Sequence, residues 1–145
     1  MASRTLTPLP DRVRRFLSAR RYASVATVDE DGTPRQAVIW YLVDGDEIVI
    51  NSLEGRRWPT NLRRDPRISL AVTAADEESW VGISGRVTVV DDQARAQADI
   101  AAMARFYNAD DPEGAEELIR TRFETQQRVS FRIGVTGIHD HIEED

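Results

Sequence analysis

Tyr22-Ala-Ser-Val-Ala-Thr-Val-Asp-Glu-Asp-Gly-Thr-Pro-Arg-Gln-Ala-Val-Ile-Trp-Tyr-Leu-Val-Asp-Gly-Asp-Glu-Ile-Val-Ile-Asn-Ser52 alternates apolar and polar residues over most of its length. That period of two belongs to strands with one buried face. Asp31-Gly32 and Asp44-Gly45-Asp46 interrupt it with turn chemistry, so the stretch reads as three antiparallel strands near 22–29, 34–43 and 47–52. Working outward, Val13, Phe16 and Leu17 recur at helical spacing in residues 11–21, behind Asp11 as a candidate cap. Residues 67–74 and 80–91 read as two more strands and 128–141 as a last one. Between them, residues 91–107 and 113–127 carry the helical apolar stripes Ile100, Met103, Phe106 and Leu118, Ile119, Phe123. Five or six antiparallel strands with few helices predict an α+β fold built on a small barrel, which removes its own edges.

Composition narrows the function. A chain of 145 residues suits one domain, 1–145, able to bury its own core. A net charge of −6 argues against general nucleic-acid or membrane-surface binding. There is no cysteine, which removes thiolate chemistry and disulfides. All 19 basic residues are arginine, so lysine Schiff-base chemistry is ruled out while phosphate and carboxylate recognition is not. No apolar run or leader-like segment stands out, and the expectation is a soluble, cytoplasmic protein.

One segment runs against the acidic background. Residues 50–66 place Arg56, Arg57, Arg63 and Arg64 between a strand and a proline-bracketed helix. The backbone N–H groups of Thr60, Asn61 and Leu62 are expected in the first turn of that helix, where an anion is favoured. Arg63, Arg64 and Arg67 read best as a solvated face, Arg56 and Arg57 as anion ligands. Asn51 and Ser52, at the strand end, are either turn residues or further donors to the anion. Trp40 and Tyr41 are adjacent, so one is expected in the core and the other against a cleft. Trp80 is either a barrel plug or an interface residue. His139 and His141 share a strand face, as a polar tail or as two metal ligands without a third, and the expectation is no metal site. No nucleophile–base motif is present.

The succession of Val25 to Pro34, Arg57 to Arg67 and Trp80 to Val90 resembles the pyridoxamine 5'-phosphate oxidase-like split β-barrel superfamily over residues 11 to 138. Within it the chain is most similar to the flavin/deazaflavin oxidoreductases of class B, found largely in actinobacteria. The resemblance implies a six-stranded antiparallel Greek-key barrel of the FMN-binding-protein type with flanking helices. It implies a homodimer with cofactors in clefts between the barrels, and a hydride passed from reduced coenzyme F-420 to a small unsaturated or conjugated substrate. An FMN-dependent oxidoreductase or a non-catalytic flavin-binding protein is the alternative. By the same resemblance, Val38, Ile39 and Trp40 contact the ring, while Asn51, Ser52, Arg56, Arg57 and Asn61 hold the phosphate. Trp58 stands where many relatives carry lysine: either Arg56 and Arg57 compensate, or the cofactor binds weakly, or Trp58 stacks on the ring; Trp80 is expected to reach the cleft from the partner.

Overall fold

The structure is a computed structural model, and it describes residues 5–76 and 78–143; the ends of the expected 1–145 domain lie outside that range. The order of elements is α1 (Asp11–Ser18), β1 (Ala23–Val28), β2 (Pro34–Ile39), β3 (Leu42–Asp44), β4 (Glu47–Leu53), α2 (Arg57–Arg64), β5 (Arg67–Thr73), β6 (Trp80–Val90), α3 (Gln93–Tyr107), α4 (Pro112–Thr121), a 3-10 turn (Phe123–Thr125) and β7 (Arg128–His141). All strand pairs are antiparallel, in the order β2-β1-β5-β6-β7-β4-β3. The two outermost strands, β2 and β3, are consecutive in sequence. They are one bent strand whose first half pairs with β1 and whose second half pairs with β4. Counted once, it joins both ends of the sheet and makes the expected six-stranded α+β split barrel.

The bend is where the sequence reading is corrected. Residues 34–43 read as one strand with no turn signal inside it, yet Trp40 and Tyr41 leave the ladder. Tyr107, far along on α3, supplies the reason. The Tyr41 N–H donates to the Tyr107 hydroxyl (3.2 Å), which itself donates to the Arg21 carbonyl (2.5 Å) and lies 3.1 Å from the Tyr41 carbonyl. A side chain therefore occupies the place of a neighbouring strand, and the Tyr41 backbone groups stay satisfied. Tyr41 is buried and its hydroxyl donates to the Leu17 carbonyl at 2.7 Å. A second correction concerns α1: Pro10 occupies the N-cap without a side-chain bond, and Asp11, one residue inside, pairs with Arg14 instead.

Two apolar layers share β4. Ile48 and Ile50 point into the barrel with Val25, Leu70, Ile83, Phe131 and Ile133, and α1 plugs one side through Val13 and Leu17. Val49 points the other way, onto Ile100, Met103 and Phe123 of the helical layer. This double burial explains why β4 reads as nearly continuous apolar sequence. A bulge between Ser84 and Gly85 lets β6 and β7 approach closely: a Cβ on Gly85 would stand 2.5 Å from the Gly134 carbonyl oxygen.

Candidate functional site

Two cavities meet beside the bend. The first, about 290 Å³, lies between β4, α3 and the 3-10 turn, with Tyr22, Trp40, Met103, Phe123, Arg122 and Arg128 in its wall. The second, about 630 Å³, runs along β2 from Arg35 to Ile39 and ends at the start of α2, at Arg56 and Arg57. Val38, Ile39, Arg56 and Trp58 line both.

The structure places eight of the ten residues singled out in the sequence on these two cavities, all but Asn61 and Trp80, and alters the role of several. Val38 and Ile39 form an apolar floor, and Val38 is 72% exposed. Trp40 is held as a wall, stacked on Tyr107 at 5.1 Å with Phe123 edge-on at 6.3 Å. Arg56 makes no ion pair among the described residues and opens into both cavities. Arg57 points partly at Asp29, at 3.5 Å, and stays largely exposed.

Asn51 and Asn61 do not fit a role as phosphate donors. An asparagine amide has two N–H donors. Asn51 gives them to the Ala96 carbonyl and the Ser130 hydroxyl, both at 2.9 Å. Asn61 gives them to the Thr27 hydroxyl at 3.1 Å and to Asp29 at 2.9 Å. Ser52 is buried with its hydroxyl turned toward the Leu53 carbonyl, 3.3 Å away. Trp58 packs in the barrel core, 5.9 Å from the Phe131 ring, and only an edge reaches the cavities. It is no stacking platform.

Trp80 lies apart from these eight, on the outer face of the sheet, stacked on His139 at 4.4 Å with His141 beyond. Among the described residues no group of three or more His, Cys, Asp or Glu is placed to hold a metal ion, and no helix is long and apolar enough to cross a membrane.

The start of α2 also differs from expectation. The helix begins at Arg57, so the Thr60 N–H already donates to the Arg56 carbonyl at 3.2 Å. The free donors of the first turn belong to Arg57 and Trp58, next to the Arg56 side chain. The solvated reading of the other arginines holds. Arg63 pairs with Glu54 and Asp91 (2.7 Å each), Arg67 with Asp65 at 2.6 Å, and Arg64 donates to the Val28 carbonyl.

Sequence reasoning missed Arg128 and Arg122. Arg128 is 6% exposed at the start of β7. Its Nε donates to Asn51 Oδ1 at 3.0 Å and its Nη1 to Gln126 Oε1 at 2.7 Å, with no carboxylate partner among the described residues. Burial, reinforced by the positive charges of Arg56 and Arg122, lowers its pKa from the usual arginine value to about 10. Asn51 thus acts through Arg128: it holds the guanidinium in place.

The sequence model of the pyridoxamine 5'-phosphate oxidase family matches residues 9–140. Among solved structures, an F-420 reductase superposes with a TM-score of 0.71 at 21% identity, over 90% of this chain and 98% of that one. A conserved hypothetical protein from Mycobacterium tuberculosis does so with a TM-score of 0.75 at 21% identity, over 97% and 91%. A heme storage protein from Vibrio cholerae shares the fold at 15% identity, with a TM-score of 0.64 over 92% and 95%.

Proposed function

Because the chain belongs to the pyridoxamine 5'-phosphate oxidase family, we propose that it is an oxidoreductase that binds coenzyme F-420 along β2 and passes a hydride to a small unsaturated or conjugated organic molecule. The observation that carries this reading is the cleft of about 630 Å³ whose apolar floor, Val38 and Ile39, ends at Arg56 and Arg57. A flat ring needs the floor, and a phosphate needs the guanidinium forks and the adjoining free N–H groups of α2. The likeness to an F-420 reductase favours the deazaflavin, and FMN is the second candidate.

When bound, the cofactor supplies the hydride; the protein supplies placement. Arg56 and Arg57 anchor the phosphate end and so fix how far the ring slides along β2. Arg35, in the same cleft and paired with Asp29 at 2.5 Å, widens the positive rim toward an acidic tail. Trp40, locked by Tyr107 and Phe123, closes one wall against water. Reduction of an unsaturated bond also consumes a proton, which solvent can supply at the open mouth of the cleft, so no acid–base pair is required of these residues.

The working unit in this reading is a homodimer. Val38 is too exposed for an apolar floor in isolation, and a second copy is the simplest cover. The small side chains of Ser24, Ala26, Ser69, Ala71 and Ser84 line a shallow depression on the outer sheet face beside Trp80, where another sheet can approach closely.

Titration of the purified protein with F-420, FMN and hemin, followed by absorbance and fluorescence at low and high salt, tests the assignment. F-420 is expected to bind tightest and to weaken as salt rises, since exposed charges are screened over about 8–10 Å. Tighter FMN binding under both conditions transfers the site to FMN. Tighter hemin binding removes the hydride-transfer reading.

A further inference from the structure

The smaller cavity holds a charge problem that the cofactor cleft does not solve. Three guanidinium groups, from Arg56, Arg122 and Arg128, line it, and none forms an ion pair with a described carboxylate. Arg128 is the telling one. Enclosing a cation without a counter-charge is costly, and folded chains rarely leave it uncompensated. Two of its N–H groups are committed to neutral amides, while Nη2 has no acceptor among the described residues and stays open to the cavity. Its guanidinium lies 5.0 Å above the Phe123 ring, and Arg122 stands 6.0 Å from the same ring. Phe123 and Asn51 therefore hold the fork planar and aimed, an arrangement suited to a planar oxyanion.

Apart from Tyr22, Asn51 and Ser52, the rest of the wall is apolar, with Trp40, Ile100 and Met103 among its residues. At about 290 Å³ the space is at the lower end of ligand pockets, which begin near 300 Å³. It fits a molecule of one or two rings. Through Val38, Ile39, Arg56 and Trp58 it opens onto the cleft along β2, so its occupant lies against whatever that cleft holds.

We infer that this cavity is the substrate pocket, and that it selects a small aromatic or conjugated molecule carrying a carboxylate or phosphate group held by Arg128, with Arg56 and Arg122 beside it. Calling the ligand a substrate rests on the oxidoreductase reading; the anion selectivity does not. A neutral analogue of the same shape leaves Nη2 unpartnered and the cation uncompensated, and is rejected for that reason.

The probes are 2-naphthoate, 2-naphthyl phosphate and the uncharged 2-naphthamide, titrated into the intact protein by calorimetry and by quenching of tryptophan fluorescence. At least one anion is expected to bind roughly tenfold or more tighter than the amide, and the better of the two identifies the headgroup. Arg128→Met should raise that Kd about tenfold or more while cofactor affinity changes less than about twofold. Arg122→Ala, at an exposed position and harmless to the core, should raise it about threefold and decides the matter if Arg128→Met fails to fold. Equal binding of anions and amide overturns the inference, as does unchanged anion affinity in the folded variants. Mutual displacement of naphthoate and cofactor also overturns it, because the cavity then belongs to the cofactor. Should no cofactor bind at all, the naphthyl series still decides the anion pocket, so the two readings fail separately.

Discussion

Arg56 and Arg64 sit in one short run of sequence and differ only in what surrounds them. Arg56 opens into both cavities without a carboxylate, whereas Arg64 bonds the Val28 carbonyl and Asn61. A charge-assisted bond to a phosphate contributes about 1.5–3 kcal/mol. Arg56→Ala should therefore weaken cofactor binding by about tenfold or more, with Arg57→Ala intermediate and Arg64→Ala nearly silent, as titrations of the three variants will show. Asp65 gives a pH signature. The hydrogen bond from Arg67, chiefly, lowers its pKa from 3.8 to about 2. A depressed carboxyl stabilises the fold above its unfolded pKa, near 4, and that contribution is lost as pH falls toward 2. Urea unfolding of Asp65→Asn and the parent should differ at pH 6 and converge near pH 2, with a small gap because the pair is solvent-facing. At this scale the sequence was legible for Arg56 and Arg57, where charge stands out locally. It was opaque for Asn51 and Asn61, because their donors are spent on Ala96, Ser130, Thr27 and Asp29, contacts far away in sequence. Arg128 left only a faint trace: an arginine at the head of a strand whose first four residues are all buried.

At the scale of elements, period-two alternation found strands such as β1 and β5 because one face of each is buried. The break between β2 and β3 was invisible for the opposite reason: its cause is Tyr107, on another element, and nothing local in Trp40-Tyr41 forbids a strand. Tyr107→Phe keeps the ring stack but deprives the Arg21 carbonyl and the Tyr41 N–H of their partner. Chemical denaturation should show a loss of about 1–3 kcal/mol, and the Trp40 emission should shift as the wall loosens. The β6–β7 contact is equally specific. Gly85→Ala drives a methyl into the Gly134 carbonyl and the Ile133 side chain, and the expected cost is about 1–3 kcal/mol in the same experiment. Gly85 lines neither cavity and touches none of their walls, which separates its effect from cofactor binding.

For the whole molecule, the proposed dimer makes the outer sheet face the surface to perturb. Ser84 lies exposed in its shallow depression, among small residues that leave no room for a long cation. Sedimentation at micromolar concentration should find the parent at twice the chain mass and Ser84→Arg at the mass of one chain. A monomeric parent would remove the shared-cleft reading. The barrel itself was readable from strand number and from the resemblance of Arg57 to Arg67. Its closure was not, since a ring joined through one bent strand is a property of pairing partners and not of any segment.

That ring has a consequence for how the protein is made. The last strand, β7, is the only one that links β6 to β4, with Glu47 standing opposite Gly134. Before it is available, the ladders β2-β1-β5-β6 and β4-β3 are joined only through the bent β2–β3 strand, and the sheet stays open between β6 and β4 with its apolar face uncovered. Pairing across so long a stretch of chain is slow to form. A polypeptide emerging from the ribosome therefore carries its arginine cluster and most of its future core outside the tunnel, unsealed, until β7 has emerged as well. Its need for chaperones should be concentrated in that interval, and end abruptly when β7 docks.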